Sequence, residues 1–388
     1  MRYYLVLSLI SLFYLAGCSS SRVSTANEGE GGSAARANPG VPVSADPLPG
    51  MPPVTDPHDI YSSDRANDLN PAVRNFPQRV YVPNTESNSL VVIDPSTYKV
   101  IGRYKVGKQP QHVTPSWDLK TLWVLNDKGN SLTRIDPATG KLGPTVKVFD
   151  PYNMYYTPDG KYAIVVAEQR ERLEFYDAKT MKLAHQLWVP CKGVDHMDFS
   201  ANGRYLIASC EFGGAVIKVD VAAQKLLGRL PLDSPKDMPQ DVKTAPDGAV
   251  FYVADMEANG VHVIDGDSFR KVGFIATGKG AHGEYVSRDS KFMYVTNRGE
   301  GSISLVDLAT RKVVQKWQLP GGGSPDMGGV SADGKVLWLS GRYNSEVYAI
   351  DTGDGHLLAR IPVDHGPHGL CIYPQPGRYS LGHTGVFR

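Results

Sequence analysis

Short apolar runs closed by an aspartate recur along most of the chain. The copies are Leu90-Val91-Val92-Ile93-Asp94, Leu132-Thr133-Arg134-Ile135-Asp136, Leu173-Glu174-Phe175-Tyr176-Asp177, Val216-Ile217-Lys218-Val219-Asp220, Val261-His262-Val263-Ile264-Asp265, Ile303-Ser304-Leu305-Val306-Asp307 and Val347-Tyr348-Ala349-Ile350-Asp351. Successive aspartates are 42, 41, 43, 45, 42 and 44 residues apart. Around each copy the pattern gives four short strands. In the last unit, residues 329–331 lead through a turn at Ala332-Asp333-Gly334 into a β-rich strand over 336–340, and a polar loop then leads to the run ending in aspartate. A last strand, such as 313–318 in the preceding unit, completes the group. Runs of about 4–8 residues rich in Val, Ile, Tyr and Trp and bounded by turn residues are the mark of an all-β fold. Four such strands every ~40–45 residues is the period of a propeller blade. The spacing therefore predicts an all-β, seven-bladed propeller with four-stranded blades. The aspartates read as scaffold, because a carboxylate there can accept backbone N–H bonds from the following turn.

The units also resemble a family, the YVTN-repeat (YncE-like) β-propellers of bacterial and archaeal surfaces. The four residues of that name occur at Tyr294-Val295-Thr296-Asn297, with near matches at Tyr81-Val82-Pro83-Asn84, Trp123-Val124-Leu125-Asn126 and Tyr252-Val253-Ala254-Asp255. The resemblance covers residues 79–374. It implies the propeller and no single activity, since such propellers include binding proteins, lyases and lactonases. The ends of the repeat indicate how the ring closes. The first unit starts at Arg79 with a second strand, and the last runs past its fourth strand, 357–363, into Gly369-Leu370-Cys371-Ile372-Tyr373-Pro374. That C-terminal strand, joined to the first blade as its inner strand, would leave no free sheet edge.

What precedes the repeat reads as an address. Arg2 supplies a positive start, and the apolar run from Leu5 to Ala16 is too short to span a hydrocarbon core of about 30 Å. The run ends Leu15-Ala16-Gly17-Cys18, which resembles the lipobox of bacterial lipoproteins. That resemblance implies a signal peptide over 1–17, acylation of Cys18 and an extracytoplasmic protein held at the membrane by its lipid. Residues 18–60 hold no Phe, Tyr or Trp and are rich in Gly, Ser, Ala and Pro, so they read as a flexible tether. A lead-in at 61–78 and a tail at 375–388 carry aromatics, and each is expected across the channel or along its rim.

Charge then narrows the partners. The 388 residues hold 41 Lys+Arg against 40 Asp+Glu, a net +1. This balance offers no general phosphate attraction, so nucleic acid is not an expected partner. The expected partners are the membrane, through the anchor, and a protein at the channel face; the chain is expected to act as a monomer.

In a four-stranded blade the inner strand lines the channel. Aligning the units on the turn after that strand puts one residue per blade at the channel mouth: His112, Asn153, His196 (or Asp195), Asp241, His282, Asp326 and His368, with His365 close to the last. Four of the ten histidines fall at seven equivalent positions. Imidazole and carboxylate together suit a divalent transition metal, Zn or Cu. Ligands facing each other across an open channel would stand too far apart for one ion, so neighbouring blades are expected to share it. The other reading is a wet polar channel. Cys191 and Cys210 should meet near His196, either as a disulfide or as a soft-metal corner. Cys371 carries no role.

Other motifs are weaker. Glu168, Glu211, Asp255 and Glu257 fall on the loops between second and third strands. No nucleophile elbow or dinucleotide fingerprint occurs in the sequence. The leading expectation is a lipid-anchored binding protein that presents a His/Asp-lined mouth to a metal, cofactor or partner. The alternative is a metal-assisted lactonase or lyase with Glu284, two residues after His282, as its acid or base. The arrangement is also distantly similar to the haem-d1 propellers of nitrite reduction, which have eight blades.

Overall fold

The computed structural model describes residues 46–383 and 386–388. Seven antiparallel sheets stand around one axis. Blades 2 to 7 have the inner strands Pro110–Pro115, Pro151–Tyr156, Val194–Phe199, Pro239–Thr244, Ala281–Val286 and Pro325–Val330, each followed outward by three strands in chain order. Blade 1 takes its outer strands from Arg79–Asn84, Ser89–Asp94 and Lys99–Lys105. Its inner strand is Cys371–Tyr373, with Tyr373 opposite Arg79 and Cys371 opposite Tyr81. The ring is closed as the repeat ends indicated.

Burial follows the layering. Inner strands are buried at nearly every position, whereas outer strands such as Lys225–Pro231 alternate exposed and half-buried residues. The apolar positions pack mainly between neighbouring blades: Tyr81, Leu90 and Val92 of blade 1 meet Val113, Val124 and Ile135 of blade 2. Each such side chain contributes about 1.5–3 kcal/mol on burial. The repeated aspartates close the turns. Asp94 accepts the N–H of Ser96 at 2.9 Å, Asp177 that of Thr180 at 2.8 Å and Asp307 that of Thr310 at 2.7 Å. The turns after the inner strands use a second device, in which the hydroxyls of Ser116, Thr157 and Ser287 donate to Asp118, Asp159 and Asp289 at 2.6–2.7 Å. Cys191 and Cys210 form a disulfide across 19 residues of blade 4, and Cys371 is a buried free thiol. The soft-metal corner is thereby replaced by a crosslink.

Both flanking segments cover the face that carries these turns. Residues 1–45, with the expected signal peptide and Cys18, lie outside the described residues. Of the expected tether, residues 46–60 are packed. Leu48 is buried among blades 3 and 4 with its N–H on Asn202 O at 2.8 Å, and Ile60 donates to Pro246 O at 2.8 Å. Composition misreads this stretch because two isolated apolar side chains, set between existing turns, are enough to dock it. The lead-in continues across the turn face: the Tyr61 hydroxyl donates to Thr244 O at 2.7 Å, and Val73 is buried with the blade 1 and 2 residues. The tail enters the channel. Ser380–Gly382 lies inside the inner strand of blade 3, with Gly382 opposite Tyr155, and Val386–Phe387 folds back on it. Blade 3 is therefore a six-stranded sheet, not the four expected.

A buried ion pair fastens this plug. Arg388 lies 3.1 Å from Asp198 and 4.7 Å above the Tyr61 ring, so tail, inner strand of blade 4 and lead-in meet at one point. The same carboxylate accepts the N–H groups of Phe199 (2.7 Å) and Thr244 (2.8 Å). Removing one member of such a pair leaves the other charged in the interior. Asp198→Ala is expected to lower the unfolding free energy by about 3 kcal/mol, read as a shift of the urea midpoint. A loss within 0.5 kcal/mol (roughly the size of a neutral surface change) would contradict the anchoring role.

Candidate functional site

The strand entrances bring the predicted residues together, but inside the channel and not at its mouth. His112, His196, His282 and His368 are each no more than 2% exposed. A fifth imidazole, His383, comes from the tail. Ring centroids are 4.7 Å apart for His196–His383, 4.8 Å for His112–His368, and 5.3 Å for both His112–His196 and His112–His383. His282 stands 6.1 Å from His368 and 6.5 Å from His196. The expected open channel with ligands out of mutual reach is corrected: long side chains from four blades converge on the axis, and the tail fills the space below them. Gly369 contributes to this closeness, because a Cβ there would collide with His112 Nδ1.

Two polar groups organise the cluster. The Asn153 amide bridges His196 Nδ1 at 2.8 Å and His383 Nδ1 at 3.0 Å, and Tyr155 stacks on the His383 ring at 5.6 Å. Asp326 lies 2.6 Å from His368 Nδ1, 3.3 Å from His282 Nδ1 and 2.9 Å from Arg298 Nη1. Asp241 Oδ1 is 3.7 Å from His383 Nε2. His196, Asp241 and His383 each place one ligand atom within 4.8 Å of the others. Asp195 sits 3.4 Å from His196 Nε2. Both ring nitrogens of His112 and Nε2 of His196 have no hydrogen-bond partner within the protein. His365 is not in the cluster; it is exposed, with Nδ1 3.0 Å from Ser345 Oγ. Glu284 is fully buried, with its N–H on Asp241 Oδ2 at 2.9 Å. It lines a cavity of about 30 Å³ on the turn side with Tyr61, Lys243 and Arg288.

Burial sets the charge state. Desolvation drives His112, His282, His368 and His383 well below the ordinary imidazole range and His196 down to about 3. All five rings are neutral at pH 7. Burial also pushes the Asp326 carboxyl up, but His282, Arg298 and Arg342 draw it down further, below the usual carboxylate range. Above the cluster the mouth is divided. On blades 2 to 4, burial raises Asp150 to about 7 beside Asp127 and Glu168 to about 8 beside Glu211, and it also raises Asp195. Arg298 and Arg342 face them from blades 6 and 7.

The sequence located seven of these positions through their repeat register. It missed His383 because the tail lies outside the repeat, so no periodicity marks it. Tyr152, whose hydroxyl is 3.4 Å from His368 Nε2, was missed as the neighbour of a position chosen for Asn153.

Comparison with known proteins agrees with the architecture. A family model described as a YNCE-like beta-propeller matches residues 64–377. No curated protein matches. Among solved structures, the Pseudomonas aeruginosa periplasmic gluconolactonase PpgL is 20% identical with a TM-score of 0.64, covering 77% of this chain and 99% of that one. Kuenenia stuttgartiensis hydrazine synthase is 19% identical with a TM-score of 0.61, covering 70% and 92%. The dihydro-heme d1 dehydrogenase NirN is 16% identical with a TM-score of 0.59, covering 75% and 74%. At these identities the likeness is one of fold.

The shifts give a pH dependence with two opposing arms. The imidazoles bind fewer protons folded than unfolded, so their stabilising contribution falls as pH drops below about 6.5. Asp64, Asp150 and Glu168 bind more protons folded, and their contribution, full below about pH 4, is lost progressively as pH rises to about 7 to 8. Imidazole NMR signals of the five rings should stay neutral from pH 8 to about 5. A protonated ring in the cluster at pH 6 would contradict this account.

Proposed function

The chain belongs to the YNCE-like β-propeller family, and on that premise we propose that it is an extracytoplasmic metal-binding protein whose axial histidines hold a divalent copper or zinc ion. The observation that carries this reading is the convergence of five uncharged imidazoles in the buried channel, where His196, His383 and Asp241 each place a ligand atom within 4.8 Å of the others and His112 and His196 keep unpartnered nitrogens. A buried polar atom without a partner costs about 1–3 kcal/mol. A bound ion would offset that cost. Imidazole donors favour copper and zinc over magnesium or calcium. Neutral rings also bind without first losing a positive charge.

The residues divide by their commitments. His196, His383, Asp241 and His112 are the proposed ligands. Asp326 is engaged by His368, His282 and Arg298, so these groups are not among the ligands; the second partner of the ligand imidazoles is Asn153, whose amide reaches Nδ1 of both His196 and His383. A metal-assisted lactonase or lyase is the other reading. Glu284, its expected acid or base, lines the turn-side cavity with Lys243 and donates its backbone N–H to Asp241 Oδ2 at 2.9 Å. The Cys191–Cys210 disulfide suits an oxidising compartment, and the similar gluconolactonase is periplasmic. We place the protein outside the cytoplasm, with Cys18 as its lipid anchor.

The test is elemental analysis with an absorption spectrum of the chain purified without chelators or a His tag. The axis is expected to hold about one equivalent of copper or zinc, so a His112→Gln/His196→Gln/His383→Gln variant that keeps its strand circular dichroism should carry about one equivalent less than the wild type. A metal-free protein that also fails to take up added Cu²⁺ and Zn²⁺ sinks the reading. For the anchor, Cys18→Ala should move the protein from the membrane fraction to the soluble one; retention at the membrane would count against it.

A further inference from the structure

The seven blades act as internal controls for one another, and blade 5 departs from blades 2 and 6 at one corner. In blades 2 and 6 the second strand ends in an asparagine that donates to hydroxyls on the third strand. Asn126 Nδ2 reaches Ser131 Oγ at 3.2 Å and Thr133 Oγ1 at 3.0 Å, and Asn297 Nδ2 reaches Ser302 Oγ and Ser304 Oγ at 3.0 Å each. Blade 5 has the same register, with Asp255 opposite Gly260 and Val253 opposite His262. A carboxylate thus replaces the amide, an imidazole replaces the hydroxyl, and the scaffold bond is gone.

What stands there instead has the composition of a ligand set. Asp255 Oδ1 accepts the N–H groups of Met238 (3.0 Å), Glu257 (3.0 Å) and Ala258 (2.8 Å), which fix the carboxylate and leave Oδ2 turned to His262. His262 Nε2 lies 3.4 Å from Asp255 Oδ2 and 3.9 Å from Asp237 Oδ2. Asp237 belongs to the loop entering the inner strand, and its Oδ2 also takes the Ser234 N–H at 2.9 Å. His262 and Asp255 are fully buried and Asp237 is 7% exposed. Asp255 Oδ2 and both ring nitrogens of His262 have no hydrogen-bond partner within the protein. The Phe274 ring, 5.1 Å from the imidazole, makes the outer wall apolar.

The separations decide between a poor hydrogen bond and a site. At 3.4 Å, the His262–Asp255 contact is long for a charge-assisted hydrogen bond of about 2.7–2.9 Å. Two donors each ~2.1 Å from a tetrahedral ion stand about 3.4 Å apart. We propose that Asp237, Asp255 and His262 form a second cation site, separate from the axial cluster, that takes one zinc-class divalent ion and ties the 232–238 loop to blade 5. Its imidazole selects against calcium and magnesium, which prefer all-oxygen sites.

The repeat supplies the variant that tests it. Asp255→Asn/His262→Thr rebuilds the Asn–Thr pair of blade 2 and should fold while lacking the ligands. The metal-stripped full chain, this variant and the axial triple variant are each titrated with Zn²⁺ and with Ca²⁺, followed by competition with a chromophoric chelator. The wild type is expected to bind one Zn²⁺ more than the blade 5 variant, and the axial variant to keep that ion. Zn²⁺ should bind at this site at least tenfold tighter than Ca²⁺ (roughly one ligand's selectivity). The single variant His262→Gln should show the same loss if the double variant is unstable. Equal Zn²⁺ stoichiometry in wild type and both blade 5 variants overturns the proposal, as does equal affinity for Ca²⁺. Loss of the axial ion alone would leave this site standing.

Discussion

A circular array of sheets has an open edge at each end until its first and last blades share strands. Here that condition rests on three residues, Cys371–Tyr373, paired with the start of the first blade. An unpaired strand edge inside the ring would leave buried N–H and C=O groups without partners, and edges left outside invite pairing with other chains. The closing strand also sets the course of what flanks it. His368 enters the axis just before it, and the chain after it emerges on the turn face beside the channel, from where His383 reaches the same axis. The site and the closure are therefore parts of one construction.

Low dielectric at the axis explains why so many ionisable groups can be there together. Five imidazolium ions in contact would repel one another strongly, and burial removes that difficulty by withholding the protons. Two buried ion pairs stand beside the rings, Asp326 with Arg298 and Asp198 with Arg388. Only at the mouth do unlike groups face one another across open space, acids on blades 2 to 4 and arginines on blades 6 and 7. This polarity gives the mouth a direction that the seven-fold backbone lacks.

The fold was legible because each blade repeats the same physical problem, and its solution shows in the sequence seven times. Strand-ending aspartates, Ser-x-Asp turns and the orphan strand at 371–373 all follow from backbone groups that must find partners. The axial positions were legible by register, which says where a side chain starts. Register does not say how far the side chain reaches or what fills the space in front of it, so it cannot tell a buried cluster from residues spread around an open mouth. His383, Leu48 and Ile60 lie outside the period, and their positions depend on long-range packing that no local pattern records. The departure at Asp255 and His262 is visible in sequence only once the blades are aligned residue by residue, since Asp255 resembles the scaffold asparagines it replaces.

The reach of the axial cluster along the chain bears on how the protein assembles. His112 and His383 are about 270 residues apart in sequence, yet their rings are in contact. Contacts of such separation form late, after the loop-closure entropy of the intervening chain has been overcome. The blades can form from local hairpins, but the five rings meet only when the circle is complete and the channel is filled from below. Occupancy of the axis is thus a chemical record of finished folding, unavailable to any partly built ring.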